Sequence, residues 1–263
     1  MINVFFAEWR KLRRPGLFVG TMVAVVGVSA LVTSLLFLMI DSTQNNPHQE
    51  QMANRATLEL PIGVSVGFAA SAGLLGLVAL CIFASQTAQE FTYGTLRNLL
   101  VRQPRRLTLL LGKFFAMNLF ALISVFLSAI VSVSLAFALS GKAKVATTAW
   151  STSEARTALL HTFVNVLISV IASGTIGMIL GLLLRSPISS ISIGVGWLLV
   201  VENIVAATVD RSGRWLPGQL INSVAAGGDF NASYSHALLI LSAYLATGVI
   251  VAAVLFGRRD VAN

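Results

Sequence analysis

The sequence predicts an all-α integral membrane protein: six transmembrane helices behind an N-terminal amphipathic interfacial helix, with both termini cytoplasmic. Three observations predict it. Of 263 residues, 56% are hydrophobic and only 11% charged, against about 25% charged in a soluble domain. Six apolar runs each reach the roughly 20 residues needed to cross about 30 Å of hydrocarbon. Lysine and arginine crowd one set of run ends, the bias that keeps basic loops in the cytoplasm.

The whole chain reads as one transmembrane domain. Residues 1–14 form the interfacial helix, because Ile2, Phe5, Phe6, Trp9 and Leu12 recur at helical spacing while Asn3, Arg10, Lys11, Arg13 and Arg14 supply a polar side. Such a helix lies in the headgroup plane with its cations near anionic lipid. Pro15-Gly16 breaks it and turns the chain into the bilayer. The spans then fall at 17–40, 62–88, 107–139, 158–184, 188–209 and 237–256. The first has a longer apolar core than the about 7–15 residues of a signal peptide and no small-x-small cleavage site, so it is retained. The third is too long for one straight crossing; its first turns lie along the interface or project beyond it. Only Arg185-Ser186-Pro187 separates the fourth and fifth, a tight connection at the proline. The first outer loop, 41–61, is polar. Glycines at small-x-x-x-small spacing, such as Gly177 and Gly181, are read as packing within the chain.

Orientation follows from the charges. Arg10, Lys11, Arg13, Arg14, Arg97, Arg102, Arg105, Arg106, Lys113, Arg185, Arg258 and Arg259 fall on one side, with Glu8, Glu90 and Asp260. The remaining charged residues fall on the other, leaving a net +9 and −1 within the overall +8. The excess is a topology signal, and nucleic-acid binding is not needed to explain it. The single cysteine, Cys81, excludes an intramolecular disulfide. His48, His161 and His236 are isolated, so no metal spacing exists. Asn118 and Asn165, inside spans, are expected to hydrogen-bond between helices.

One segment stands apart from the apolar background. Gln89 to Arg106 is polar, basic and punctuated by Gly94 and Pro104. The second span continues past the interface to a break at Tyr93-Gly94. Thr95 then caps a short helix over 96–101, which Gln103-Pro104 ends. The expected product is a short helix across the mouth of two long ones.

The pattern Glu90-x-x-x-Gly94-Thr95-Leu96-Arg97-x-Leu99-Leu100, then a proline and arginine, then Leu110-Leu111-Gly112-Lys113, resembles the transmembrane subunit of ABC transporters of the type-2 permease family. The likeness extends to the interfacial helix, the six spans, both ends inside and the Arg-Ser-Pro connection. It implies an export permease that forms its path as a dimer, with a second permease copy, identical or related. A separate ABC ATPase subunit would bind ATP and Mg, leaving this chain without cofactor. Carried over by position, Glu90, Tyr93, Gly94, Thr95, Arg97, Arg102, Arg105 and Arg106 form the coupling segment, and Arg185 a second, smaller contact. The outer loop 210–235 resembles the family's re-entrant hairpin, although a surface loop anchored by an aromatic fits it too.

This chain lacks the ATPase machinery. A phosphate-binding loop needs G-x-x-x-x-G-K-[ST], and Gly112-Lys113 has Leu107 and Phe114 at the first and last of those positions. Within the spans, Glu202 is the one clear ionisable group, beside Asn203, and such groups are functional candidates. With Trp215 and Pro217 it is read as part of a translocation path or outer gate; pairing with Arg211 or Arg214 is the plainer alternative. A secondary transporter or channel-like protein without an ATPase would want carboxylates near the midplane and repeated halves. An intramembrane enzyme would need convergent catalytic groups within the spans, and none converge.

Overall fold

The computed structural model describes residues 2–40, 55–102, 105–230 and 232–258, and among these the chain is helical, with no strand. Helix α1 (Ile2–Leu12) precedes α2 (Pro15–Leu38); α3 (Arg55–Glu59) is a single turn before α4 (Gly63–Thr92). Then follow α5 (Thr95–Arg102), α6 (Arg106–Ser140), α7 (Ser153–Leu184), α8 (Pro187–Gly196), α9 (Glu202–Thr208), α10 (Pro217–Ala226) and α11 (Tyr234–Arg258). Helices α8 and α9 are one span joined through a π-helical turn, Trp197–Val201. Six helices are long and apolar enough to cross a membrane, so the chain is a multi-pass membrane protein.

Local chemistry explains the boundaries. Pro15 and Pro187 occupy first-turn positions of α2 and α8, where a missing N–H costs nothing. Thr152 caps α7, its Oγ1 accepting from Ala155 N at 3.2 Å. Arg185 turns into the left-handed region (φ 55°) between α7 and α8, and the Ser186 hydroxyl accepts from Ser189 N at 3.4 Å. The third span is one continuous helix of 35 residues, about 52 Å long, so it projects beyond the apolar layer and does not bend along it. The polar loop residues 41–54 and the stop at Gln103-Pro104 lie outside the described residues.

Helices α4 and α7 form the inner pair. A Cβ on Gly177 would sit 2.3 Å from the Leu80 carbonyl oxygen, and one on Gly181 2.8 Å from that of Ala84. Small residues therefore bring two backbones of the same chain together. Around this pair α2 and α6 bury Val25, Met117, Phe120 and Val125, while α8–α9 and α11 remain peripheral. Hydroxyls supply several of the polar links inside the bundle. Ser29 meets Ser128 at 2.7 Å, Ser65 meets Thr162 at 3.2 Å, and Ser169 donates to Ile221 O at 2.9 Å. Asn118 differs from expectation: its buried Oδ1 has no partner among the described residues.

The end opposite α1 has its own small core. Leu58 of α3 is buried, and its carbonyl accepts from Trp150 Nε1 at 2.8 Å. Trp150 also stands edge-on to Phe37 and Phe137. The described tail of the 41–61 loop is thus structural as well as polar.

Candidate functional site

Both segments singled out from the sequence are ordered by buried carboxylates, one at each end of the bundle. At the basic end, α4 stops at Thr92, Gly94 takes a positive φ of 64°, and α5 begins at Thr95. Thr95 is thus the first helical residue, one position inside the expected cap. Leu96 anchors α5 inward, whereas Tyr93 (73% exposed) and Val101 (80%) stand outward, as do Gly94, Thr95 and Arg105. Arg97 and Arg102 lie on α5 with side chains outside the described set.

Glu90 points the other way. It is buried, and its Oε1 accepts from Lys113 Nζ at 2.7 Å and from Lys11 Nζ at 2.8 Å. Lys113, only 2% exposed along its side chain, also reaches Glu8 Oε2 at 3.0 Å and donates to Gln86 O at 3.0 Å. Lys11 closes the ring on Glu8 Oε1. Two carboxylates and two ammoniums therefore tie α1, α4 and α6 together, with balanced charge. Burial pushes the Glu8 carboxyl upward, but Lys113 and Lys11 outweigh it and hold the group below its ordinary value. Burial likewise pulls Lys11 down, and Glu90 with Glu8 more than compensate, leaving it raised.

The network also revises the reading of α1. Val4, Glu8 and Leu12 are its buried stripe, and Val4 packs where Gly112 of α6 leaves room. The helix docks on α6 by this stripe, leaving Ile2 and Phe6 exposed.

Arg106 of the elbow and Arg185 of the α7–α8 turn also turn to the protein. Arg106 donates to the carbonyls of Phe256 at 2.8 Å and Gly257 at 3.2 Å, near the end of α11. The Arg185 guanidinium lies over the Phe91 ring, 5.4 Å from its centroid, while Thr92 Oγ1 donates to Arg185 O at 3.4 Å. Sequence reasoning placed Glu90, Arg106 and Arg185 at an outward contact; the fold uses them inward, because each finds a long-range partner. Glu8, Lys11, Lys113 and Phe91 were missed as site residues. A signal existed: Glu8 falls in phase with Val4 and Leu12, and Lys113 sits inside an apolar run.

At the opposite end, Glu202 is fully buried. Its Oε2 accepts from the backbone N–H of Gly218 at 2.7 Å and of Gln219 at 3.2 Å, capping α10 as a carboxylate suits a helix N-terminus. Asn203 donates to Leu199 O at 2.8 Å and accepts from Gln219 Nε2 at 3.3 Å. Pro217 opens α10, so three of the four residues read as an outer gate meet here. The fourth, Trp215, stands edge-on to His236. Helix α10 is no free loop: Leu220, Ile221 and Val224 are buried with Ala172 of α7 and Leu241 of α11. The salt bridge to Arg211 or Arg214 is not formed; Glu202 meets amides instead.

Residues 68–262 match the family model described as "Protein of unknown function (DUF2705)". The chain belongs to this family. The matched residues include Glu90, Lys113, Glu202 and α10, while Glu8 and Lys11 of α1 precede them. No curated protein matches the chain.

Proposed function

We propose that this chain is the membrane-spanning subunit of an ATP-driven exporter of the ABC type-2 kind. It forms the path as a dimer and couples to a separate ATPase that binds ATP and Mg. In this reading the basic end faces the cytoplasm of a cell whose plasma membrane holds the chain. Helix α5 is the coupling helix. One observation carries the reading: the segments flanking α5 are anchored on several sides at once. Glu90 binds Lys11 and Lys113, Phe91 and Thr92 bind Arg185, and Arg106 binds the end of α11. A push on α5 is thereby delivered to α1, α4, α6, α11 and the α7–α8 turn together.

Tyr93, Gly94, Thr95, Val101 and Arg105 are the face that an ATPase would meet, with Arg97 and Arg102 adding charge. Glu90, Arg106 and Arg185 position that face from behind. The second copy would cover part of the apolar surface of α8–α9 and α11. A secondary transporter would place buried charge near the midplane. Among the described residues, buried Glu8, Glu90 and Lys113 gather at one end. Glu202 lies toward the other, about 10 Å from the end of α9. That distribution favours an external engine.

Purification of the tagged chain from its native membranes in mild detergent tests the proposal. The expected result is near-stoichiometric recovery of a subunit carrying a phosphate-binding loop. The double substitution Tyr93→Asp, Val101→Asp, at two exposed positions, is expected to cut that recovery at least about tenfold with unchanged thermal stability. A wild-type preparation with no such ATPase refutes it.

A further inference from the structure

We infer that Glu202 is a proton-binding site and that its protonation releases the clasp between α9 and α10. Four observations carry this inference. The carboxyl is fully buried yet ion-pairs with no cation, a costly state for an anion in a span. Only Oε2 is engaged, by two amides of a ten-residue helix, and these favour the ionised form. The other oxygen, Oε1, has no hydrogen-bond partner among the described residues. Finally, the backbone is shaped for the contact from both sides.

On the α10 side, Gly218 leaves the space: a Cβ there would lie 2.7 Å from Oε2. On the other, the π-helical turn Trp197–Val201 corrects the phase. Gly194 is a buried position of α8. Eight residues of uninterrupted α-helix would leave Glu202 about 80° off that face. A wider turn takes up most of the difference, and Asn203 donates to Leu199 O beside it. Wide turns of this type recur at functional sites.

The charged and titratable groups around the clasp are few. Helix α10 carries none, and α4 carries none between Gly63 and Leu80. Asp210, Arg211 and Arg214 lie on the connecting turn, Asp229 just beyond α10, where it accepts from the Ser223 hydroxyl at 2.8 Å, His236 and Tyr234 at the start of α11, and His161 on α7; none of them bonds to Glu202. Its protonation state is therefore set by burial, by the two α10 amides and by the neighbouring Trp197 indole of the π-helical turn. In the ionised state Oε2 holds the two amides. A proton taken from water adds to Oε1, the charge disappears, and the attraction to the helix end goes with it. Helix α10 is then free to swing from α7. The clasp does not depend on an ATPase, so this inference and the exporter reading can fail separately.

The test uses the full chain in lipid nanodiscs with Cys81→Ser and one introduced thiol. Ala225→Cys reports on the buried face of α10, and Phe230→Cys, at an exposed position, corrects for thiol ionisation. The maleimide labelling rate at 225 divided by that at 230 is followed between about pH 5 and about pH 8. The ratio is expected to rise about tenfold on acidification, the factor equal to about 1.4 kcal/mol at a helix end. Glu202→Gln should hold the high ratio at every pH, as should Gly218→Ala, which displaces the carboxylate while keeping it. Amide hydrogen exchange across α10 in wild type and Glu202→Gln gives a readout without the new thiol. A flat wild-type ratio, or a Glu202→Gln protein as protected as wild type at neutral pH, overturns the inference.

Discussion

Replacing Lys113 with methionine isolates what the charge network does. The side chain keeps its length and apolar stem but loses its ammonium, which lies 2.7 Å from Glu90 and 3.0 Å from Glu8. Two buried carboxylates then share Lys11 alone. Lys113 is 2% exposed and both acids less than a tenth, so solvent screens little of the loss. Breaking a buried pair from one side costs about 3–5 kcal/mol, and that is the expected destabilisation of Lys113→Met. Removing a carboxylate as well, in Glu90→Gln with Lys113→Met, leaves Glu8 and Lys11 as a neutral pair. The double variant should recover about 1–3 kcal/mol relative to the sum of the two single losses. Unfolding by sodium dodecyl sulfate in mixed micelles, followed by tryptophan fluorescence, measures all four corners of the cycle. A Lys113→Met loss within about 0.5 kcal/mol of zero, or strict additivity, would refute the view that these charges act as one buried unit.

The same network makes a prediction about pH. Glu8 titrates below its ordinary 4.5, so its contribution is complete above that value and disappears as pH falls through the lower folded value. Lys11 titrates above its ordinary 10.5, so its contribution is complete below that value and disappears as pH rises past the higher folded one. Docking of α1 should be firmest between those limits, and Glu8→Gln should flatten the acid limb when protease cleavage of α1 is followed against pH. Trp150→Phe removes the bond to Leu58 O at 2.8 Å and strands a buried carbonyl, for a loss of about 1–3 kcal/mol in the same unfolding assay. Gly177→Ala drives a Cβ to 2.3 Å from the backbone of α4, so about 1–3 kcal/mol of overpacking is expected. Substitution of Gly141, which has open space around its Cβ position, should be tolerated by comparison.

The spans were legible because membrane length and apolarity are local properties of the chain. Each predicted run corresponds to a helix, and the largest shift is at the start of α7, where Thr152 caps a helix that begins at Ser153. The break at Tyr93-Gly94 was legible for the same reason, since a positive φ at Gly94 needs no distant partner. The direction of the elbow side chains was not. Glu90 looked like a surface acid beside a basic loop; its inward turn depends on Lys113, 23 positions later, and Lys11, 79 earlier.

By itself the sequence determined the number of spans, their order and the basic end that gathers the elbow, because burial of apolar length and charge bias act span by span. Only the tertiary structure decided which charges face each other and which carboxylate meets a helix end. A wide turn at Trp197–Val201 rotates Glu202 onto Gly218, and α1 docks Glu8 beside Lys113. The physical reason is range. Hydrophobic length is read along the chain, whereas ion pairs and caps act over about 3 Å between segments that the chain alone leaves far apart.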